Sequence, residues 1–145
     1  MFNICVKRTV KKPIEQVFSV FSEHGNYHQF KPINESELVE FGHSEKNGEG
    51  ALRRIKMNPL TLFERIIAYD PPHRLEYRIE KSSPFTFDHI KGEIKLREVP
   101  EGTEVIWESK GYIKVPLLGP LLLDRISERQ GTAGFISILN SIDQM

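Results

Sequence analysis

The stretch Leu60–Lys81, LTLFERIIAYDPPHRLEYRIEK, decides how the rest of the chain is read. Leu60 to Tyr69 and His73 to Lys81 are rich in the branched and aromatic residues that fit a pleated, half-buried surface. Between them, Asp70-Pro71-Pro72 forces a reversal, because proline fixes φ and removes a backbone donor. Two strands joined by so short a connection must be antiparallel neighbours. In the second of them Leu75, Tyr77 and Ile79 share one face, and Glu76, Arg78 and Glu80 the other.

The same punctuation recurs on either side. Glu37 to His43 leads to a turn at Lys46-Asn47-Gly48, and Ala51 to Met57 ends at Asn58-Pro59. Phe85 to Val99 follows Ser82-Ser83-Pro84 and ends at Pro100-Glu101-Gly102, and Thr103 to Val115 stops at Pro116. With Phe2 to Val10 this makes a seven-stranded antiparallel sheet. Two short helical segments follow the first strand. Pro13 opens one, with Ile14, Val17, Phe18 and Phe21 on a single stripe and Gly25-Asn26 at its end. Tyr27 to Pro32 reads as the other, a short helix or turn. Pro120 suits the first turn of a long closing helix carrying Leu121, Leu122, Ile126, Phe135, Ile138, Leu139 and Ile142.

A lone antiparallel sheet has one apolar face and needs a cover. The closing helix is the one element long enough to supply it. The expected architecture is therefore α+β: a curved sheet wrapped round a C-terminal helix, with a hollow between them, over a single domain 1–145.

Composition narrows the function. Twenty Lys and Arg balance twenty Asp and Glu, so a broad basic face for nucleic acid is disfavoured. The single cysteine, Cys5, excludes an internal disulfide and is read as a packing residue in a reducing compartment. The most apolar run, Val115 to Leu123, is interrupted by Pro116 and Pro120 and falls short of a membrane span. These features point to a cytoplasmic protein without a membrane span.

Three segments carry a family resemblance: Pro13-Ile14-Glu15-Gln16-Val17-Phe18, then Phe63-Glu64-Arg65 through Tyr77, then Gly102-Thr103-Glu104-Val105-Ile106-Trp107 with the helix beyond. Together they resemble the START-like, or SRPBCC, superfamily, and within it the bacterial polyketide cyclase/dehydratase and lipid-transport group. The resemblance implies the helix-grip fold and a cavity for a hydrophobic molecule such as a lipid, sterol, quinone, plant hormone or polyketide. Fold alone does not choose among them.

Two arguments about the cavity wall disagree. Plain alternation sends Leu75, Tyr77 and Ile79 inward. Similarity to the plant hormone receptors of the superfamily, whose Glu-Arg and Glu-Ser pairs match Glu64-Arg65 and Glu108-Ser109, implies the opposite. Counting back through the Pro-Pro turn then brings Arg78 and Glu80 inward beside Glu64 and Ile66, with Glu108, His89 and Lys91 on the same wall. Phe135 and Leu139 would complete the ligand contacts from the helix. In that register Leu75, Tyr77, Ile79, Ile94 and Trp107 would lie outside, and so much apolar surface predicts a homodimer through the sheet. A one-residue slip or a bulge exchanges the two readings.

No catalytic constellation stands out: there is no nucleophile elbow, phosphate loop or dinucleotide fingerprint. Gly48-Glu49-Gly50 is a turn. His24 and His28 have a helical metal-ligand spacing, but Gly25-Asn26 intervenes and no third ligand is evident, so they read as surface or loop residues. Gly131 and Gly134 in the closing helix leave either room for a ligand or close packing. The expected function is binding or transport of a hydrophobic or amphipathic molecule (lipid, quinone or polyketide-like), without metal or cofactor. The alternative is an aromatase/cyclase or dehydratase using Glu64, His89 and Glu108.

Overall fold

The computed structural model describes residues 1–115 and 122–145. Strand β1 (Phe2–Val10) buries Phe2, Ile4 and Val6 and exposes Asn3, Cys5 and Lys7, the alternation of a strand with one wet face. Helix α1 (Ile14–Ser22) follows Pro13 and buries Ile14, Val17, Phe18 and Phe21. A 3-10 helix (His24–Gln29) comes next, three residues ahead of the expected second segment. Then come β2 (Glu35–Glu40), β3 (Leu52–Met57), β4 (Leu60–Asp70), β5 (Arg74–Ser83), β6 (Thr86–Val99), β7 (Gly102–Lys114) and helix α2 (Asp124–Asp143). Strand β2 starts two residues before the expected Glu37 and stops at Glu40, and the expected helix start at Pro120 lies outside the described residues.

The strands form one sheet in the order β1-β7-β6-β5-β4-β3-β2. Strands β2 to β7 are a meander, and β1 pairs antiparallel with β7 to complete the far edge. Four residues sit opposite no partner: Val39, Ile67, Glu80 and Ile90 interrupt the registers as bulges. Bulges bend a strand and increase its twist, which is how a sheet curls round a helix.

Helix α2 lies against β1. The Asn3 N–H donates to the Glu128 carboxylate (2.9 Å) and the Lys11 N–H to Asp143 (2.7 Å), so acids on the helix satisfy donors along this outer strand. The buried Asp124 carboxylate accepts the Ile113 N–H at 3.0 Å and pins the helix start to β7. Ile138, Leu139 and Ile142 enter the core.

The plain alternation is the register that forms. Leu75, Tyr77, Ile94 and Trp107 are buried in the core, so the apolar outer surface that called for a dimer does not exist. The convex face instead carries interlaced charges. Arg74 pairs with Glu76 and Glu93, Arg78 with Glu76, and Lys91 with Glu93 and Glu108. Cys5 is exposed on that face and is not a packing residue. Among the described residues no helix is long and apolar enough to cross a membrane.

Candidate functional site

Between the concave face and α2 lies a cavity of about 440 Å³. Most of its wall is apolar: Phe2 and Ile4 from β1, Ile55 and Met57 from β3, Leu62 from β4, Phe85 and Phe87 beside and within β6, Ile126 and Ile138 from α2. Trp107 lines it and stacks face to face on Phe135 of α2, with ring centroids 3.8 Å apart. At one end the wall turns polar with Arg53, Glu64, Tyr27, Tyr77 and Ser109.

Register puts Arg53 and Glu64 together. Strands β3 and β4 are joined at Asn58-Pro59, and pairing back from Met57↔Leu60 sets Arg53 opposite Glu64. Arg53 is 2% exposed, and its Nε and Nη2 both donate to Glu64 Oε1, at 2.9 and 2.8 Å. Its Nη1 donates to the Tyr27 hydroxyl (3.0 Å) and to His24 Nδ1 (3.2 Å). The guanidinium also lies over the rings of Tyr27 and Tyr77, 4.8 and 5.0 Å from their centroids. A buried charge is tolerated when so fully paired. Glu64 Oε2 has no hydrogen-bond partner among the described residues.

Two histidines, buried His24 and half-buried His89, hold the same tautomer, with Nδ1 accepting and Nε2 donating. His24 Nε2 lies 2.8 Å from the Asn47 carbonyl, which can only accept, so the proton sits on Nε2 and Nδ1 receives Arg53. Burial and the Arg53 charge lower its pKa to about 3. It is wholly buried, not the surface residue expected from the sequence, and ties the Asn47 loop to the cavity wall. His28 is exposed. Among the described residues no cluster of three or more His, Cys, Asp or Glu is placed to hold a metal ion.

His89 fills a gap in the sheet. Strands β5 and β6 pair over Arg74–Glu76 against Glu93–Lys95. Further along, the Ile79 N–H donates to His89 Nδ1 instead, at 3.0 Å. That donation forces the ring proton onto Nε2, which lies 2.9 Å from Ser109 Oγ. The spacing is that of a nucleophile and its base. The tautomer is the wrong one, because Nε2 gives a proton to Ser109 and cannot take one. Burial, then the nearby Arg78 charge, lower the His89 pKa to about 4, so the ring is neutral.

A model of the polyketide cyclase/dehydrase and lipid transport family matches residues 1–131. The chain belongs to that family. Solved structures with the same fold include a START superfamily protein from Mycobacterium smegmatis, 11% identical, with 99% of each chain covered and a TM-score of 0.80. A protein from Thermus thermophilus is 18% identical, with 98% of this chain and 94% of that one covered and a TM-score of 0.78. An aromatase/cyclase from Streptomyces sp. R1128 is 19% identical, with 98% and 93% covered and a TM-score of 0.75. At such identities the likeness establishes the fold. Among curated proteins nothing matches the chain.

Within this family fold, the residues expected at the site divide. Glu64 and Phe135 line the cavity. Ile66 and Leu139 lie in the core behind it, and His89 supports Ser109 from within the sheet. Arg78, Lys91 and Glu108 face the convex side, where Lys91 pairs with Glu108 at 3.6 Å. Two bulges account for these corrections. Counted from Asp70↔Arg74, an unbroken ladder would set Ile66 opposite Arg78. The extra residue Ile67 instead sets Ile66 opposite Tyr77, inverting the face of β5. Ile90 does the same in β6, where His89 points inward and Lys91, two residues on, points outward. Arg53 was missed although the signal was present: counting across Asn58-Pro59 pairs it with Glu64.

Proposed function

We propose that this protein binds a hydrophobic or amphipathic small molecule in the cavity under α2 and holds it without transforming it. The observation that carries this reading is a largely apolar hollow of about 440 Å³ whose charged groups are already paired with one another. Its size falls in the range of ligand sites, roughly 300–1,000 Å³. The two groups that could do acid–base chemistry are constrained against it. His89 presents an N–H to Ser109, and Glu64 Oε1 already accepts two hydrogen bonds from Arg53. The protein works in the cytoplasm in this reading, on the grounds of its lone cysteine.

Binding is tested with the neutral dye N-phenyl-1-naphthylamine and by native mass spectrometry of the protein as purified. Dye fluorescence should rise on binding, and Gly134→Leu, which fills the hollow where an added Cβ meets nothing within 4 Å, should abolish the rise in a folded protein. A ligand at 100 times its Kd should add about 2.7 kcal/mol of stability. The absence of dye uptake, of bound mass and of stabilisation across a hydrophobic panel would together remove the reading.

A second reading, aromatase/cyclase or dehydratase chemistry, is favoured by the unpartnered Glu64 Oε2. Its test is turnover of a polyketide-like substrate, abolished in Glu64→Gln. Turnover that survives this substitution rules out Glu64 as the acid or base.

A further inference from the structure

Two hydroxyls in the cavity wall have their hydrogen-bond polarity fixed by their neighbours. His89 Nε2–H donates to Ser109 Oγ, because the Ile79 N–H occupies the other ring nitrogen. Trp107 Nε1–H donates to the Tyr77 hydroxyl oxygen at 2.9 Å, and an indole can only donate. Each oxygen is thus already an acceptor, and each hydroxyl proton has no acceptor among the described residues. Burial raises the Tyr77 pKa, with the Glu64 charge adding to it, so this hydroxyl keeps its proton. Both residues line the cavity. A buried donor without a partner costs free energy that an acceptor on a ligand would recover.

Among the described residues the same wall offers no unpaired cation to balance a carboxylate. All three nitrogens of Arg53 are committed to Glu64, Tyr27 and His24. A ligand anion at this end would also face Glu64 Oε2, and Arg74, Arg78 and Lys91 stand on the other side of the sheet, in ion pairs of their own.

We propose that the bound molecule presents a neutral carbonyl oxygen, as in a ketone or quinone, to the hydroxyls of Ser109 and Tyr77, and that the cavity selects it over a hydrocarbon or carboxylate of the same skeleton. This rests on the binding reading above and narrows it to a ligand class. His89 is a positioning residue in this scheme: it makes Ser109 a donor. The fit is tight around it. Its ring stacks on Tyr77 at 5.7 Å, and a side chain at Gly92 would come within 2.6 Å of the Tyr77 ring and 2.7 Å of His89.

The test uses one rigid skeleton in three forms: 9-fluorenone, fluorene and fluorene-9-carboxylate, each displacing N-phenyl-1-naphthylamine. In the wild-type protein fluorenone should bind about tenfold more tightly than fluorene, the equivalent of one to two neutral hydrogen bonds. The carboxylate should be the weakest. The ketone-to-hydrocarbon ratio should fall to within about twofold of unity in the Ser109→Ala/Tyr77→Phe double variant, and part of the way in His89→Phe, because a neutral hydrogen bond is worth about that much. A change confined to packing would weaken both ligands together and leave the ratio alone. Equal wild-type affinity for ketone and hydrocarbon, tightest binding of the carboxylate, or a ratio that survives the double variant would overturn the proposal while leaving cavity binding intact. Failure of the dye and all three compounds to bind would overturn the binding reading and this one with it.

Discussion

Glu64 and Arg65 are adjacent in β4, yet they face two different media. Inward, Glu64 takes two donors from an arginine that is 2% exposed. Outward, Arg65 forms a two-oxygen fork with Glu80, at 2.8 and 2.9 Å, and a further contact to Glu40 at 3.1 Å. The side chain of Arg65 is 27% exposed. Both pairs use Nε and Nη2 of the guanidinium, but their consequences differ. Water can replace a partner lost beside Arg65, whereas the buried Arg53 has no such access.

The largest expected effect breaks the inner pair. Arg53→Met strands the Glu64 carboxylate in an apolar wall and should cost about 3–5 kcal/mol in urea unfolding. Adding Glu64→Leu should restore most of that, since replacing both charges by apolar groups of similar size is often neutral. On the convex face Arg78→Ala should cost less than about 1 kcal/mol. An Arg53→Met protein as stable as Arg78→Ala would show that water reaches the cavity's polar end freely.

This contrast also marks what was legible in the chain before its structure. The seven strands, the α1 stripe and the closing helix were readable, because proline and glycine punctuation and apolar spacing are local properties. Facing was readable within a strand, where plain alternation turned Leu75 and Tyr77 inward, but not from one strand to the next, because that count depends on bulges. Ile67 and Ile90 have the composition of ordinary strand residues, so neither announces itself as the extra one, yet each inverts everything beyond it. Arg53 is a different case. It is a charged residue in a short strand, where solvent is the default reading, and only its pairing across Asn58-Pro59 reveals the partner that lets it go inside.

A smaller effect separates the inner histidines from the outer carboxylates by pH. His24 and His89 have folded-state pKa values of about 3 and about 4, below the roughly 6.5 of a free histidine. Above that value both rings are neutral in folded and unfolded chains alike, and stability is full. As pH falls below it the unfolded chain takes up protons first, so stability declines until the folded values are reached. Glu80 and Glu93, whose pKa values lie below the ordinary carboxylate range, begin to lose stabilisation only below about pH 4.5. Between pH 7 and pH 5 the loss should therefore come from histidine, on the order of 2 kcal/mol once the partial exposure of His89 is discounted. Urea midpoints should fall across this range in the wild type and fall less in His89→Gln. A flat profile would place water beside both rings.

The smallest effect contrasts two glycines three residues apart in α2. A Cβ at Gly131 would clash with the Ile4 δ-methyl, while at Gly134 it would meet nothing within 4 Å. Each Gly→Ala change should gain up to about 1 kcal/mol of helix propensity. At Gly134 that gain should appear in full, with only a methyl group entering the hollow. At Gly131 the Ile4 side chain must turn aside, and moving a packed side chain costs about as much as the helix gains, so the net change should be close to zero or unfavourable. If the two substitutions stabilised the protein equally, α2 would sit farther from β1 than the Ile4 contact requires. A loss at Gly134 as large as at Gly131 would mean instead that the hollow beneath the helix is filled.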